Sequence, residues 1–244
     1  MVGLIGLAIG SFLNVCIDRL PSGQSLLGPP SHCPSCKTKL ASKDLVPVFS
    51  YLWLRGKCRY CGVGIPWRLP IVEVATGVAF GLVWYNYGLG LQAIGMLVYI
   101  SAFMVVLVAD LERGIIPNWI VYPGLLGAFL LASLWPEVGP LKSLLGGGVG
   151  LGIMLLIYML PGGVMGEGDV KLGAMIGLAV GFPLVLEALG VSFVLGGIVA
   201  IAMMLSKKRK RRDTLAFGPY MSIAAIVTLA WGPLIWEHYL DLFR

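Results

Sequence analysis

Two aspartates set in apolar sequence, Asp110 and Asp169, are the residues of this chain whose type and placement best suit them to chemistry. Asp169 closes the stretch Gly166-Glu167-Gly168-Asp169, inside Met165 to Lys171 and between two long apolar segments, and Asp110 ends the apolar run Leu91 to Ala109. An ionisable side chain at membrane depth is costly, so each marks a functional position by default. For Asp110 the bland alternative is a helix-end carboxylate facing water. As a pair they could do more: two carboxyl groups sharing one proton supply the base and the acid needed to attack a peptide bond with water. Repulsion between like charges in a poorly hydrated site raises one pKa and separates the two roles. Gly166 and Gly168 allow the backbone to bend sharply and to approach an extended substrate. Lys171 is either an interfacial cation reaching for water or a tuner of Asp169, and Glu167 reads as solvated.

A second constellation is Cys33-Pro34-Ser35-Cys36 with Cys58-Arg59-Tyr60-Cys61, inside the one sizeable polar segment, Pro21 to Pro66. Two CxxC pairs about twenty residues apart are the spacing of a zinc ribbon, in which each pair forms a knuckle and four thiolates complete a tetrahedron. So short a segment has little core of its own, which gives a metal staple a physical purpose. The rival reading is a disulfide pair, disfavoured if the segment is cytoplasmic, where thiols stay reduced. Cys16 is left as a small buried hydrophobe, and His32 as a bystander to the first knuckle.

The elements that must position these groups are membrane helices. The 244 residues are 58% hydrophobic and only 12% charged, with a mean hydropathy of +0.89, far from the composition of soluble domains. No basic region precedes the apolar start at Val2 to Ile17 and no small-residue cleavage site follows it, so it reads as a retained span. By a length of ~20 residues per span, about eight are expected. They are Val2 to Ile17, Leu69 to Tyr87, Leu91 to Ala109, Ile115 to Trp135, Leu141 to Leu160, Val170 to Leu186, Leu189 to Leu205 and Leu215 to Tyr239. The sixth and seventh share one stretch, with a turn expected within Gly181 to Gly190, and both are therefore short. Small residues in the first span (Gly3, Gly6, Gly10) and the fifth (Gly146, Gly147, Gly148, Gly150, Gly152) predict close helix packing, not a phosphate loop.

Net charge +6 falls in blocks. Arg19, Lys37, Lys39, Lys43, Arg55, Lys57, Arg59 and Arg68 flank or fill the cysteine segment, and Lys207 to Arg212 form a second block. Placing both on the cytoplasmic side also puts Asp110 and Asp169 at one face of the membrane, although charge played no part in finding the spans. Basic blocks of this kind are topology signals, so no nucleic-acid partner is expected; membrane lipid is.

In order along the chain come Gly10-Ser11-Phe12-Leu13-Asn14-Val15 with Arg19-Leu20-Pro21, Val46-Pro47-Val48-Phe49-Ser50-Tyr51-Leu52, Arg55-Gly56-Lys57-Cys58, Ile115-Ile116-Pro117-Asn118 after Asp110, Gly166 to Lys171, and Phe217-Gly218-Pro219-Tyr220. This set resembles the type IV prepilin peptidases, membrane aspartyl proteases with a GxGD motif, over nearly the whole chain. The resemblance implies an all-α polytopic protein of the bacterial inner membrane: a first transmembrane helix at 1–20, a cytoplasmic cysteine domain at 21–68 associated with methylation, and a transmembrane peptidase core at 69–244. It implies an aspartic endopeptidase that removes the leader of type IV prepilins and of type II secretion pseudopilins, with Asp110 and Asp169 catalytic and Gly166, Gly168 and Lys171 in the catalytic loop. It further implies methylation of the new N-terminus with S-adenosylmethionine, and Zn2+ on Cys33, Cys36, Cys58 and Cys61. No dinucleotide-type glycine fingerprint marks a donor site, which leaves Glu73, at the start of the second span, to meet the donor ribose or the substrate amine, or else to pair with Arg68 or Arg19. Asp18 departs from the family pattern and is expected to pair with Arg19. Two other readings stand beside this one: a peptidase whose zinc domain serves recognition alone, and a transporter or non-enzymatic assembly protein, for which no midplane charge speaks. Neither client system nor oligomeric state is legible.

Overall fold

The computed structural model describes residues 1–132, 138–160, 165–206 and 216–241, the side chains of 239 and 240 apart. The chain divides into two compact units, Met1–Val105 and Val106–Arg244. Among the described residues every regular element is helical, and the only β-type pairs are isolated bridges, His32 with Lys39 and Lys57 with Gly64.

In the first unit, α1 (Val2–Arg19) packs along α3 (Arg68–Tyr87). The contact is close because glycines line it: a Cβ at Gly6 would lie 2.7 Å from Phe80 Cβ, and one at Gly10 would lie 2.7 Å from Glu73 Cα. Asn14 stitches the end of the pair next to the cysteine segment, its Nδ2 donating to the Leu69 carbonyl at 3.0 Å. Asp18 does not pair with Arg19 as expected. It accepts from the Arg68 guanidinium at 2.9 Å, while Arg19 donates to the carbonyl oxygens of Ser25 and Pro29, since its position at the end of α1 turns it to the following loop. Between the two helices lies the cysteine segment with one short helix, α2 (Phe49–Trp53). Gly88, at φ +69°, ends α3, and α4 (Leu91–Arg113) leaves the first unit for the second.

The second unit continues with α5 (Asn118–Ala132), α6 (Gly139–Tyr158), α7 (Glu167–Val180), α8 (Leu184–Leu205) and α9 (Gly218–Asp241). Helix α7 touches α5, α6, α8 and α9 and is buried nearly all round. Its closest neighbour is α6: Gly146 and Gly150, one turn apart, meet Gly177 and Gly173, backbone against backbone, and the Ser143 hydroxyl donates to the Leu178 carbonyl at 2.7 Å. Of the glycines of the fifth expected span, Gly146, Gly147 and Gly150 therefore do pack a helix, whereas Gly148 and Gly152 face open space.

Among the described residues, six helices are long and apolar enough to cross a membrane, namely α1, α3, α4, α6, α8 and α9. Helices α5 and α7, of 15 and 14 residues, are shorter than the ~20 a full crossing needs, so among the described residues six of the about eight expected spans have that length. The turn between α7 and α8 is Gly181-Phe182-Pro183, at the very start of the stretch where it was expected. Gly181, at φ +75°, ends α7, and Pro183 caps α8, which places Glu187 in the first turn of α8 and makes that helix full length. The basic block Lys207 to Arg212 lies outside the described residues.

Candidate active site

Asp169 is the third residue of α7, and its carboxylate reaches back to accept the N–H of the N-cap residue Gly166 through Oδ2 at 3.1 Å. Its other oxygen, Oδ1, is buried without a partner, and the residue is 8% exposed. Helix α4 does not stop at Asp110 but runs to Arg113, so Asp110 sits within its last turn and is 5% exposed. The Gly218 backbone N–H donates to its carboxylate, whose Oδ2 is again buried and unpartnered.

Three segments meet at one side chain. A Cβ on Gly168 would lie 3.2 Å from Ile116 Cβ, and one on Gly218 would lie 3.2 Å from Ile116 Cδ1 and 2.6 Å from Asp110 Oδ2. The loop after α4, the start of α7 and the start of α9 thus converge on Ile116, and the two carboxylates are close enough to feel each other's charge. Among the described residues neither has a cationic partner. Lys171 is engaged elsewhere, in an ion pair with Glu167 at 3.0 Å and 5.7 Å above the Tyr122 ring. Gly166 has φ −88°, open to any residue, so its role is not a sharp bend; at Gly168 a side chain would press on Ile116. Sequence reasoning missed Gly218 and Ile116 as parts of this site. Both stood within quoted motifs, but only the fold shows what they touch.

The cysteine segment forms two matching knuckles. Cys33 N–H donates to Thr38 O at 3.0 Å and Lys37 N–H to Cys33 O at 2.9 Å; Cys58 N–H donates to Val63 O at 2.8 Å and Gly62 N–H to Cys58 O at 2.9 Å. Lys37 (φ 58°) and Gly62 (φ 72°) make the same left-handed turn. The four thiol sulfurs lie within 4.8 Å of one another, with Cys33 Sγ to Cys61 Sγ at 3.8 Å. A tetrahedral zinc with Zn–S of ~2.3 Å requires sulfur edges of ~3.8 Å, so the cluster fits that ion. Hydrogen bonds from Thr38 lower the Cys36 thiol to about 6, favouring the thiolate that a metal needs. His32 is not in the cluster; its Nδ1 faces Pro30 O. Asp44 braces the second knuckle, accepting from Arg59 Nε at 2.6 Å and from the Tyr60 hydroxyl at 3.0 Å. Glu73, 7% exposed, pairs with neither Arg68 nor Arg19 but accepts the Val48 N–H at 2.7 Å and the Ser11 hydroxyl.

The bacterial peptidase A24 N-terminal domain matches residues 4–87, and the type IV leader peptidase family matches residues 97–201. A protein of Bacillus subtilis (strain 168) named prepilin leader peptidase/N-methyltransferase is 30% identical, the alignment covering 98% of this chain and 96% of that one. Proteins of the same name from Stutzerimonas stutzeri and Pseudomonas aeruginosa are each 31% identical, covering 99% and 98% of this chain and 93% and 92% of theirs. No solved structure matches.

Proposed function

The chain belongs to the type IV leader peptidase family, and we propose that it removes the leader of prepilins and pseudopilins with Asp110 and Asp169 and then methylates the new N-terminal amine. It is a multi-pass membrane protein, with α1, α3, α4, α6, α8 and α9 long and apolar enough to cross. The observation that carries the peptidase reading is the convergence at Ile116 of the segments that bear two buried carboxyl groups, each with an unpartnered oxygen and, among the described residues, neither neutralised by a cation. A buried, unpaired carboxylate costs too much to serve as packing.

In this reading one carboxylate, ionised, takes a proton from a water whose oxygen attacks the scissile carbonyl carbon. The other, protonated, gives its proton to the carbonyl oxygen; on collapse of the tetrahedral intermediate it takes back one hydroxyl proton while the expelled amine receives the proton held by the first. Gly218 N–H holds Asp110, Gly166 N–H holds Asp169, and the missing side chain of Gly218 leaves room beside the Asp110 carboxyl. The acids, the basic blocks and the cysteine segment belong on the cytoplasmic side by the positive-inside rule, where the basic leader of a prepilin meets its apolar helix. Cys33, Cys36, Cys58 and Cys61 would hold Zn2+, whose part is structural: it ties the two knuckles of a domain at 21–68 associated with methylation. S-adenosylmethionine is the methyl donor, as the names of the relatives imply.

The test is mass spectrometry of a prepilin with a Gly-Phe junction incubated with the protein in lipid, with and without S-adenosylmethionine, beside Asp169→Asn. Leader loss by the wild type alone, plus one methyl group only with the donor, is the expected result. Cleavage by the variant removes the dyad, and an unmodified mature N-terminus with the donor present removes the methylating half.

A further inference from the structure

The first unit holds a buried polar cluster at the α1–α3 crossing that peptide cleavage does not use. Gly10 lets α1 press against the backbone of Glu73, so that Ser11 and Asn14, three apart on α1, face Leu69 and Glu73, four apart on α3. Because Asn14 Nδ2 donates to the Leu69 carbonyl, its Oδ1 is left as an acceptor; it is buried, unpartnered, and belongs to a residue only 5% exposed. The Glu73 carboxylate, one turn along α3 from Leu69, is satisfied only by neutral donors, the Val48 N–H and the Ser11 hydroxyl. No cation meets it among the described residues. Val48 itself has φ 61° and ψ −49°, a conformation unfavourable for a β-branched residue, so the bond it donates to Glu73 comes from a strained turn.

Two buried acceptors on facing helices, one of them anionic, with no donor of matching charge, are complementary to a small cation carrying several N–H groups. A primary ammonium has three and no acceptor. On the reading proposed above, cleavage creates such a group, the α-ammonium of the mature substrate, where an apolar helix enters the membrane. Glu73 lies in the second turn of a helix long and apolar enough to cross a membrane, near the end that follows the cysteine segment. We propose that Glu73 and Asn14 form the receptor for the free α-ammonium of the mature chain and hold it for methylation. The ammonium displaces the Val48 N–H from Glu73 and gives one proton to that carboxylate. The freed lone pair forms the new N–C bond to the methyl carbon of the sulfonium donor as the S–C bond breaks, its electron pair remaining on sulfur. The product is a secondary ammonium and a neutral thioether, and Glu73 returns its proton to solvent.

Full-length protein in nanodiscs is titrated, without donor, with a synthetic mature N-terminal segment bearing either a free or an acetylated amine. The wild type should bind the free amine at least ~10-fold more tightly, the factor for one charge-assisted hydrogen bond. Glu73→Gln keeps an acceptor for Val48 N–H and hence the melting temperature, yet should abolish the preference and the methylation of that segment. Asn14→Leu, which removes the second acceptor, should reduce the preference and serves as the readout if the Gln protein does not fold. No preference in the wild type, or a preference retained by Glu73→Gln or, where that protein does not fold, by Asn14→Leu, overturns the receptor. Because binding needs neither cleavage nor donor, absence of prepilin cleavage with the preference intact removes the peptidase reading alone.

Discussion

At the scale of single residues, the two aspartates are distinguished by what surrounds them more than by their type. Each is held by one backbone N–H and has one idle oxygen, left over for a substrate or a water in the proposed reaction. Asparagine at either position should therefore abolish cleavage, and the wild-type rate should fall at both pH extremes, since acid protonates both carboxyls and alkali ionises both. A profile rising to a plateau on one side would mean that only one of them acts. Gly218→Ala offers a finer test. A Cβ there would come within 2.6 Å of Asp110 Oδ2, so the carboxyl must swing away. We expect the cleavage rate to fall at least ~10-fold, as misplacement of a reacting group commonly costs that or more, with little change in melting temperature. Asp44 shows the opposite electrostatic situation: the hydrogen bond from the Arg59 guanidinium holds its carboxyl below the usual carboxylate range. Its folded pKa being depressed, its support for the second knuckle is complete above the ordinary carboxylate pKa and is lost as pH falls through the lowered value. Hydrogen exchange at 57–62 in wild type and Asp44→Asn should accordingly differ at neutral pH and converge in acid.

At the scale of elements, Asp169 is placed by α7, and α7 by the glycines it shares with α6. Gly150→Leu would drive a side chain into the Gly173 carbonyl, and overpacking of this kind commonly costs about 1–3 kcal/mol. The melting temperature should fall and cleavage should fall with it, because the start of α7 moves; unchanged stability would show that α6 and α7 do not need this contact. Much of this level was legible in the sequence. Apolar length located the crossing helices, and the glycine spacing of α6 announced a close neighbour. Which neighbour was not legible, because Gly173 and Gly177 meet α6 only through tertiary packing. The same limit hid the roles of Ile116 and Gly218: an empty Cβ position matters only once a distant residue is known to fill the space. Asp18 illustrates it for charge, since its adjacent arginine is turned away by the end of α1 and one from a second helix takes its place.

At the scale of the whole molecule, two chemistries are assigned to separate parts of one chain, and the cysteine cluster is the handle for separating them. Its knuckles have almost no apolar interior: Cys33 and Cys58 are the buried residues of that segment, while Trp53, Trp67 and Leu52 are exposed. A segment so built depends on its metal for order, because binding free energy there is folding free energy. Purified protein should contain about one zinc per chain, as four thiolates close one tetrahedral site. Cys58→Ser or a strong chelator should release it and deprotect 31–65 in hydrogen exchange, methylation being lost with that order. The aspartates, in contrast, draw their hydrogen bonds from Gly166 and Gly218, within the unit that holds no part of the cluster. Prepilin cleavage by the zinc-free protein should therefore persist. If cleavage disappeared together with the zinc while α6 and α7 stayed protected, the cysteine segment would have to take part in presenting the leader to the aspartates, and the two activities could not be separated by metal.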